Sequence, residues 1–206
     1  MSASSALLLV VPATSSILTV AQPADALRQA RGGMNCASSG AGTGGHLTGE
    51  TFAHMPGAKA IHVPYEGMAP ALTDVAGGQL DFSFGVIPCA LALVKADRLR
   101  TPAVTSARRL TQLPEVATVA ESGVGAPAGF ESSLTCGILA PRGTPMVGVR
   151  KLGAEILQVA ASAVFQSRLG VEGAQPLLGD AAAYAGRTQR ESSKWAAVVK
   201  ASGASV

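Results

Sequence analysis

Apolar residues in this chain fall into short runs and helical faces that alternate from one end to the other. Ala6-Leu7-Leu8-Leu9-Val10-Val11 is an unbroken apolar run ended by Pro12, the pattern of a strand covered on both faces. Pro23 to Arg31 places Ala24, Leu27 and Ala30 at helical spacing before Gly32-Gly33, which reads as a short helix with a glycine cap. Residues 34–38 form a strand that enters a glycine-rich turn. Thr43 then stands as cap to a helix carrying Leu47, Phe52 and Met55 inward, closed by Pro56-Gly57. Ala60 to Tyr65 reads as a strand, and Pro70 sits near the start of a short helix with Leu72 and Val75. Leu80-Asp81-Phe82-Ser83-Phe84 alternates as a strand does, and Pro88 to Ala96 is helical. Residues 98–105 form a strand whose Pro102 argues for a sheet edge. A short helix near Val116–Ser122, a strand over Ser133–Ala140, and a helix opened by Thr144 as cap and Pro145 follow. Leu152, Ile156 and Val159 mark one face of that helix, and a last helix begins near Asp180 and carries Tyr184, Trp195, Val198 and Val199. Strands alternating with helices predict an α/β fold with a mostly parallel sheet.

Composition narrows the class. The 206 residues suffice for one large domain or two small ones with a real core. With 48% apolar and 14% charged residues the chain is globular rather than disordered. The net charge of +3 is modest, and no Lys/Arg cluster is interleaved with aromatics, so nucleic acid is not an expected partner. Cys36, Cys89 and Cys136 form no CxxC and are odd in number, which predicts small buried residues with free thiols rather than a disulfide framework. The run at 6–11, followed by Ala24-Asp25-Ala26, mimics a secretory leader. No positive charge precedes Arg28, however, so a buried strand is the preferred reading.

The chemistry centres on Ser38-Ser39-Gly40-Ala41-Gly42-Thr43-Gly44-Gly45-His46, lying between a strand and a helix. Glycines let backbone N–H groups converge, and the helix start adds four unpaired donors and the positive end of its dipole. Such a turn suits phosphate, sulfate or carboxylate alike. Gly40-x-Gly42-x-x-Gly45 matches the dinucleotide fingerprint, which would make the chain an NAD- or nucleotide-binding α/β enzyme. That reading wants an acid closing the next strand, and only Glu66, just beyond it, is available. A P-loop is excluded because no lysine is near. His46, Glu50 and His54 share one helical face, but the outer pair spans roughly 12 Å of rise, too far for one metal ion.

A longer ordered series then carries a resemblance. Ala37-Ser38-Ser39-Gly40-Ala41-Gly42-Thr43, His46-Leu47, His62-Val63-Pro64-Tyr65-Glu66-Gly67, Pro70-Ala71-Leu72 and Gly77-Gly78-Gln79-Leu80-Asp81 come first. Ala103-Val104-Thr105-Ser106, Leu113-Pro114, Thr118 to Gly123, Gly129-Phe130-Glu131, Leu139 to Pro145 and Lys194-Trp195 follow. The series resembles the Bug family, the solute-binding receptors of tripartite tricarboxylate transporters. The resemblance implies a type II periplasmic-binding-protein-like α/β fold: a crossover strand at 1–13, a complete second domain at 14–130, and residues 131–206 returning to an incomplete first domain. It implies a periplasmic receptor that closes on small carboxylates or related organic acids and passes them to membrane permease subunits. No catalysis, cofactor or metal is expected. By the same resemblance Ser38, Ser39, Gly40, Ala41, Gly42 and Thr43 form the loop that meets a ligand carboxylate. His46 is the histidine behind that loop, and Asp81 is the aspartate that points to the cleft, where an acid selects ligand amines or ordered water.

Departures from the family pattern qualify this. The family's chains are longer at the N-terminus, so the chain reads either as truncated and impaired in binding, with a cytoplasmic location as the alternative to the periplasm, or as one whose start codon is misassigned. Thr135 and Cys136 stand where aromatics are usual, Cys36 replaces a common tyrosine, and Pro102 interrupts a strand.

Overall fold

A computed structural model describes residues 2–17, 19, 21–29, 32–54, 59–122 and 130–202. The chain divides into two compact units, one made of Ala6–Ser133 with Ala197–Val206 and the other of Met1–Ser5 with Leu134–Ala196. The division falls inside the first strand, β1 (Ser2–Pro12), which belongs to both.

The larger unit is built on β1 from Ala6 onward, β2 (Met34–Ser38), β3 (Ala60–Pro64), β4 (Phe82–Val86) and β5 (Leu99–Val104), in the order β3-β2-β4-β1-β5. β2 runs parallel to β3 and β4, whereas β1 is antiparallel to both of its neighbours, β4 and β5. The sheet is therefore parallel except for one reversed strand near its centre. That position explains the unbroken apolar run, since Leu7 to Val11 are at most 1% exposed. Between the parallel strands lie α2 (Gly44–His54), α3 (Met68–Ala76) and α4 (Ile87–Lys95), while α1 (Ala21–Gln29) follows β1. Leu8 and Val10 pack with Ala37, Leu72, Val75 and Ile87 in one buried cluster. On the other side Phe52 of α2 meets Phe82 and Phe84 of β4 edge-on, with centroids 6.4 and 5.5 Å away. Pro102 lies in β5, the last strand of this order, as its missing N–H requires.

Several elements differ from expectation. β4 starts at Phe82 rather than Leu80, because the Asp81 backbone N–H donates to the Asn35 carbonyl (3.1 Å) in a bend before the strand. The helix expected near Val116–Ser122 is only a 3-10 turn, Ala120–Ser122. The inward Met55 and the closing Pro56-Gly57 lie outside the described residues, as do Ala30 and Arg31. Cys36 is buried, but Cys89 and Cys136 are exposed free thiols, contrary to the expectation that all three are buried.

In the smaller unit Ser2–Ser5 of β1 pairs antiparallel with β7 (Ala174–Leu177), and β6 (Ser133–Gly137) is a further partner of β1. Its helices are α5 (Met146–Ala161), α6 (Ala163–Val171) and α7 (Ala181–Ser202) as far as Ala196. β6 ends three residues earlier than expected. Pro145 itself occupies the cap of α5, and the Thr144 hydroxyl donates to the Pro141 carbonyl instead. α6 and β7 were not anticipated. Ser162 separates α5 from α6 and caps the latter, its hydroxyl accepting from the Phe165 N–H at 3.4 Å. Among the described residues of this unit Ala160 is the one buried apolar side chain, while Leu139, Val147, Leu152, Val164 and Val171 are exposed. No helix among the described residues is long and apolar enough to cross a membrane.

Candidate functional site

The turn after β2 has its geometry from sequence-local causes. Gly40 and Gly42 adopt φ of 135° and 73°, conformations that side-chain-bearing residues rarely take. α2 then starts at Gly44 and lies hard against the sheet. A Cβ on Gly45 would come within 2.8 Å of the Phe84 carbonyl oxygen, and one on Gly49 within 2.6 Å of the Cys36 sulfur. Burial drives the Cys36 thiol strongly toward its protonated form, with the Glu50 carboxylate adding to the effect, so it packs rather than reacts.

Six residues, 38–43, were expected to present their amides to a ligand. The structure divides that set. The Gly40 N–H donates to Ser38 Oγ (3.1 Å), the Gly42 N–H to His46 Nδ1 (3.0 Å), and the Thr43 N–H to the Gly40 carbonyl (3.4 Å). These three are internal supports. The N–H groups of Ser39 and Ala41, and those of Gly44, Gly45 and His46 in the first turn of α2, have no partner among the described residues. The donor set thus reaches three residues further along the chain than expected, to His46, and includes the helix start, where orphan N–H groups and the dipole coincide. Thr43 was expected to cap α2; its hydroxyl instead donates back to the Gly40 carbonyl at 2.8 Å and closes the turn.

His46 and a residue that sequence reasoning passed over, His62 of β3, lie behind the turn. Their rings stack at 3.6 Å between centroids with an interplanar angle of 15°. His62 Nε2 is 2.6 Å from Ser38 Oγ, and that hydroxyl also donates to the Gly40 carbonyl at 3.0 Å. The relation comes from the β2–β3 ladder, not from the sequence: Cys36 pairs with His62, so with a period of two His62 and Ser38 share the face that α2 covers. Burial lowers the pKa of His46, against an opposing pull from Glu50. Burial, then the neighbouring His46, lowers that of His62 to about 4. Both rings are neutral at pH 7.

Glu50 stands between two histidines, 3.8 Å from His46 Nε2 and 4.0 Å from His54 Nδ1. His54 is exposed and its Nδ1 lies 2.7 Å from the Glu50 backbone carbonyl. No group of three metal-ligating side chains forms among the described residues. The start of α2 is further tied down by hydroxyls: Thr48 Oγ1 donates to the Gly44 carbonyl and meets Ser132 Oγ, each at 2.6 Å. Ser132 in turn bonds Thr105, whose Oγ1 accepts from the Leu7 N–H of β1.

Asp81 is not brought to the turn. Its carboxylate accepts the Asn35 N–H at 2.7 Å, near the start of β2, whereas the turn follows the end of that strand about 10 Å away at ~3.3 Å per residue. In this position it holds β2 and the approach to β4 together.

Residues 1–204 match the family described as tripartite tricarboxylate transporter family receptor, TctC. A Pseudomonas sp. (strain P51) relative, the UPF0065 protein in the tcbD-tcbE intergenic region, is 39% identical over 178 residues, covering 84% of this chain and 52% of the relative. The solved structure of R. palustris Rpa4515 with adipate is 32% identical with a TM-score of 0.88, covering 98% of this chain and 66% of that one. The periplasmic binding protein BugD is 26% identical with a TM-score of 0.84, covering 98% and 68%. This chain spans about half the length of the curated relatives it matches. The fold is that of these periplasmic binding proteins. The chain belongs to the TctC family of tripartite tricarboxylate transporter receptors, the Bug proteins.

Proposed function

We propose that this chain is a receptor module for small carboxylates, gripping one carboxylate at the turn between β2 and α2 and catalysing nothing. The observation that carries the reading is the set of unpartnered N–H groups at Ser39, Ala41, Gly44, Gly45 and His46, gathered at a helix N-terminus. Neutral amides of this kind bind an anion without a buried countercharge, and hydrogen bonds to a charged acceptor are the stronger class. The R. palustris structure with adipate, 32% identical, supports a dicarboxylate as the ligand class. On this reading the site residues are Ser39, Ala41, Gly44, Gly45 and His46 as donors. Ser38, Gly40, Gly42 and Thr43 shape the turn, and Asp81 acts at a distance through the strand it braces. The family supports a periplasmic location and delivery of the ligand to permease subunits of a tripartite tricarboxylate transporter.

The dinucleotide reading loses its footing at the same atoms. In that fingerprint the backbone of the second glycine, here Gly42, approaches the pyrophosphate, and the Gly42 N–H is already taken by His46. The test is isothermal calorimetry of the purified chain with adipate, with a shorter dicarboxylate such as succinate, and with NAD. The expected result is saturable heat with a dicarboxylate and none with NAD. Saturable binding of NAD, or of neither class, contradicts the reading.

A further inference from the structure

The turn that offers its N–H groups is held from behind by two imidazoles, and each takes a different part of it. His46 Nδ1 accepts the Gly42 N–H, so the proton of this ring is on Nε2, on the side of Glu50. Ser38 Oγ has one hydrogen and two lone pairs but three partners: the Gly40 N–H, the Gly40 carbonyl and His62 Nε2. All three contacts coexist when the hydroxyl accepts from Gly40 N–H, donates to Gly40 O and accepts from His62 Nε2–H. Both rings then carry their single proton on Nε2, and they stack face to face at 3.6 Å.

We propose that His62 and His46 are positioning residues for carboxylate binding: a neutral stacked pair that fixes Ser38, Gly40 and Gly42, so that the remaining amides of the turn converge on the ligand. The proposal rests on the receptor reading above and assigns His62 a role that the resemblance did not. The arrangement tolerates no charge on the pair. A proton on His46 Nδ1 turns the acceptor of the Gly42 N–H into a donor and releases that amide. A proton on His62 sets a cation against its stacked neighbour. The surrounding ionisable groups are few. Among the described side chains they are Glu50 and His54 on α2 and the Cys36 thiol on β2; α1, which also packs on α2, carries Asp25 on an exposed position, and β4 carries no ionisable side chain. Burial lowers the pKa of both rings, that of His62 to about 4, so the support persists through neutral pH and fails in acid.

The test uses substitutions that keep or remove the relevant atom. Asparagine sets an amide oxygen near the place of Nδ1, and glutamine sets an amide N–H near that of Nε2. His46→Asn and His62→Gln should bind adipate within about threefold of the unsubstituted chain, and His46→Leu and His62→Leu about tenfold or more weakly, the worth of one lost hydrogen bond. The Gly42 amide should exchange far more slowly than its intrinsic rate at the same pH in the parent chain, and this protection should be lost in His46→Leu and in the parent chain as His46 is protonated in acid. The acid series needs no substitution and stands even where a leucine variant does not fold. Leucine variants that bind as tightly as the parent, or a Gly42 amide whose exchange ignores His46, overturn the proposal. Absence of dicarboxylate binding in the parent chain overturns the receptor reading itself, and the pairing with it. Binding in the parent with indifferent leucine variants overturns the pairing alone.

Discussion

At the scale of single residues, the turn works because side chains in it and behind it use up some of its donors. Ser38, Thr43 and His46 satisfy groups of the turn itself, and what they leave over is the part that can meet a ligand. The sequence made the place legible, since glycines between a strand and a helix start announce an anion site. It did not show which amides are spent, because that depends on His46 and Ser38 folding back on the turn. His62 was hidden for a different reason: its relation to Ser38 exists only once β3 lies beside β2. Two predictions belong at this scale. Gly49→Ala places a methyl against Cys36 Sγ and should destabilise the chain by about 1–3 kcal/mol in urea unfolding. Adding Cys36→Ala should return part of that loss, as coupled neighbours do. The second concerns pH. His62 has a pKa of about 4 when folded and an ordinary value, about 6.5, when unfolded, so between these the unfolded chain binds the more protons. Its contribution is fully present above about pH 6.5, declines as pH falls through that window, and is gone below about 4. His46, lowered as well, acts in the same direction. Urea midpoints taken across pH 4 to 7 should fall toward acid, and His62→Gln should flatten the slope.

At the scale of elements, α2 is the piece that everything near the site depends on. Its glycines allow close contact with β4 and β2, and Thr48 joins its first turn to Ser132 and, through Thr105, to β1. Thr48→Val removes one partner of a buried hydroxyl pair and should cost about 1–3 kcal/mol of stability, measured by denaturant titration. Asp81 makes a contrasting case. Because its carboxylate braces Asn35, Asp81→Asn should lower stability while leaving adipate affinity within about twofold of the parent. A large loss of affinity with unchanged stability would restore it to the ligand's immediate surroundings. Most elements of the larger unit were readable from apolar spacing. The reversed direction of β1 was not, since an all-apolar run is the same read in either sense. In the smaller unit α6 and β7 escaped notice because Val164, Val171 and Leu178 face solvent, and a pattern of buried positions cannot mark elements that bury little.

At the scale of the molecule, the two units differ in how much holds them. The larger has an aromatic cluster, two well-filled sheet faces and a buried hydroxyl network. The smaller buries one apolar side chain among its described residues and exposes a series of valines and leucines along α5 and α6. Free energy of opening follows buried apolar contact, so amide exchange should be uniformly faster over residues 134–196 than over β1 to β5, with the slowest amides in Leu7 to Val11. Equal protection of the two units would contradict this.

The most direct test of the whole account is an amide-resolved NMR titration of the chain with adipate. The account predicts that the signals of Ser39, Ala41, Gly44, Gly45 and His46 move downfield and saturate together, while Gly40 and Gly42 move less because their hydrogens are already bonded. Saturable shifts confined to residues elsewhere, or none at this turn at ligand excess, would contradict it.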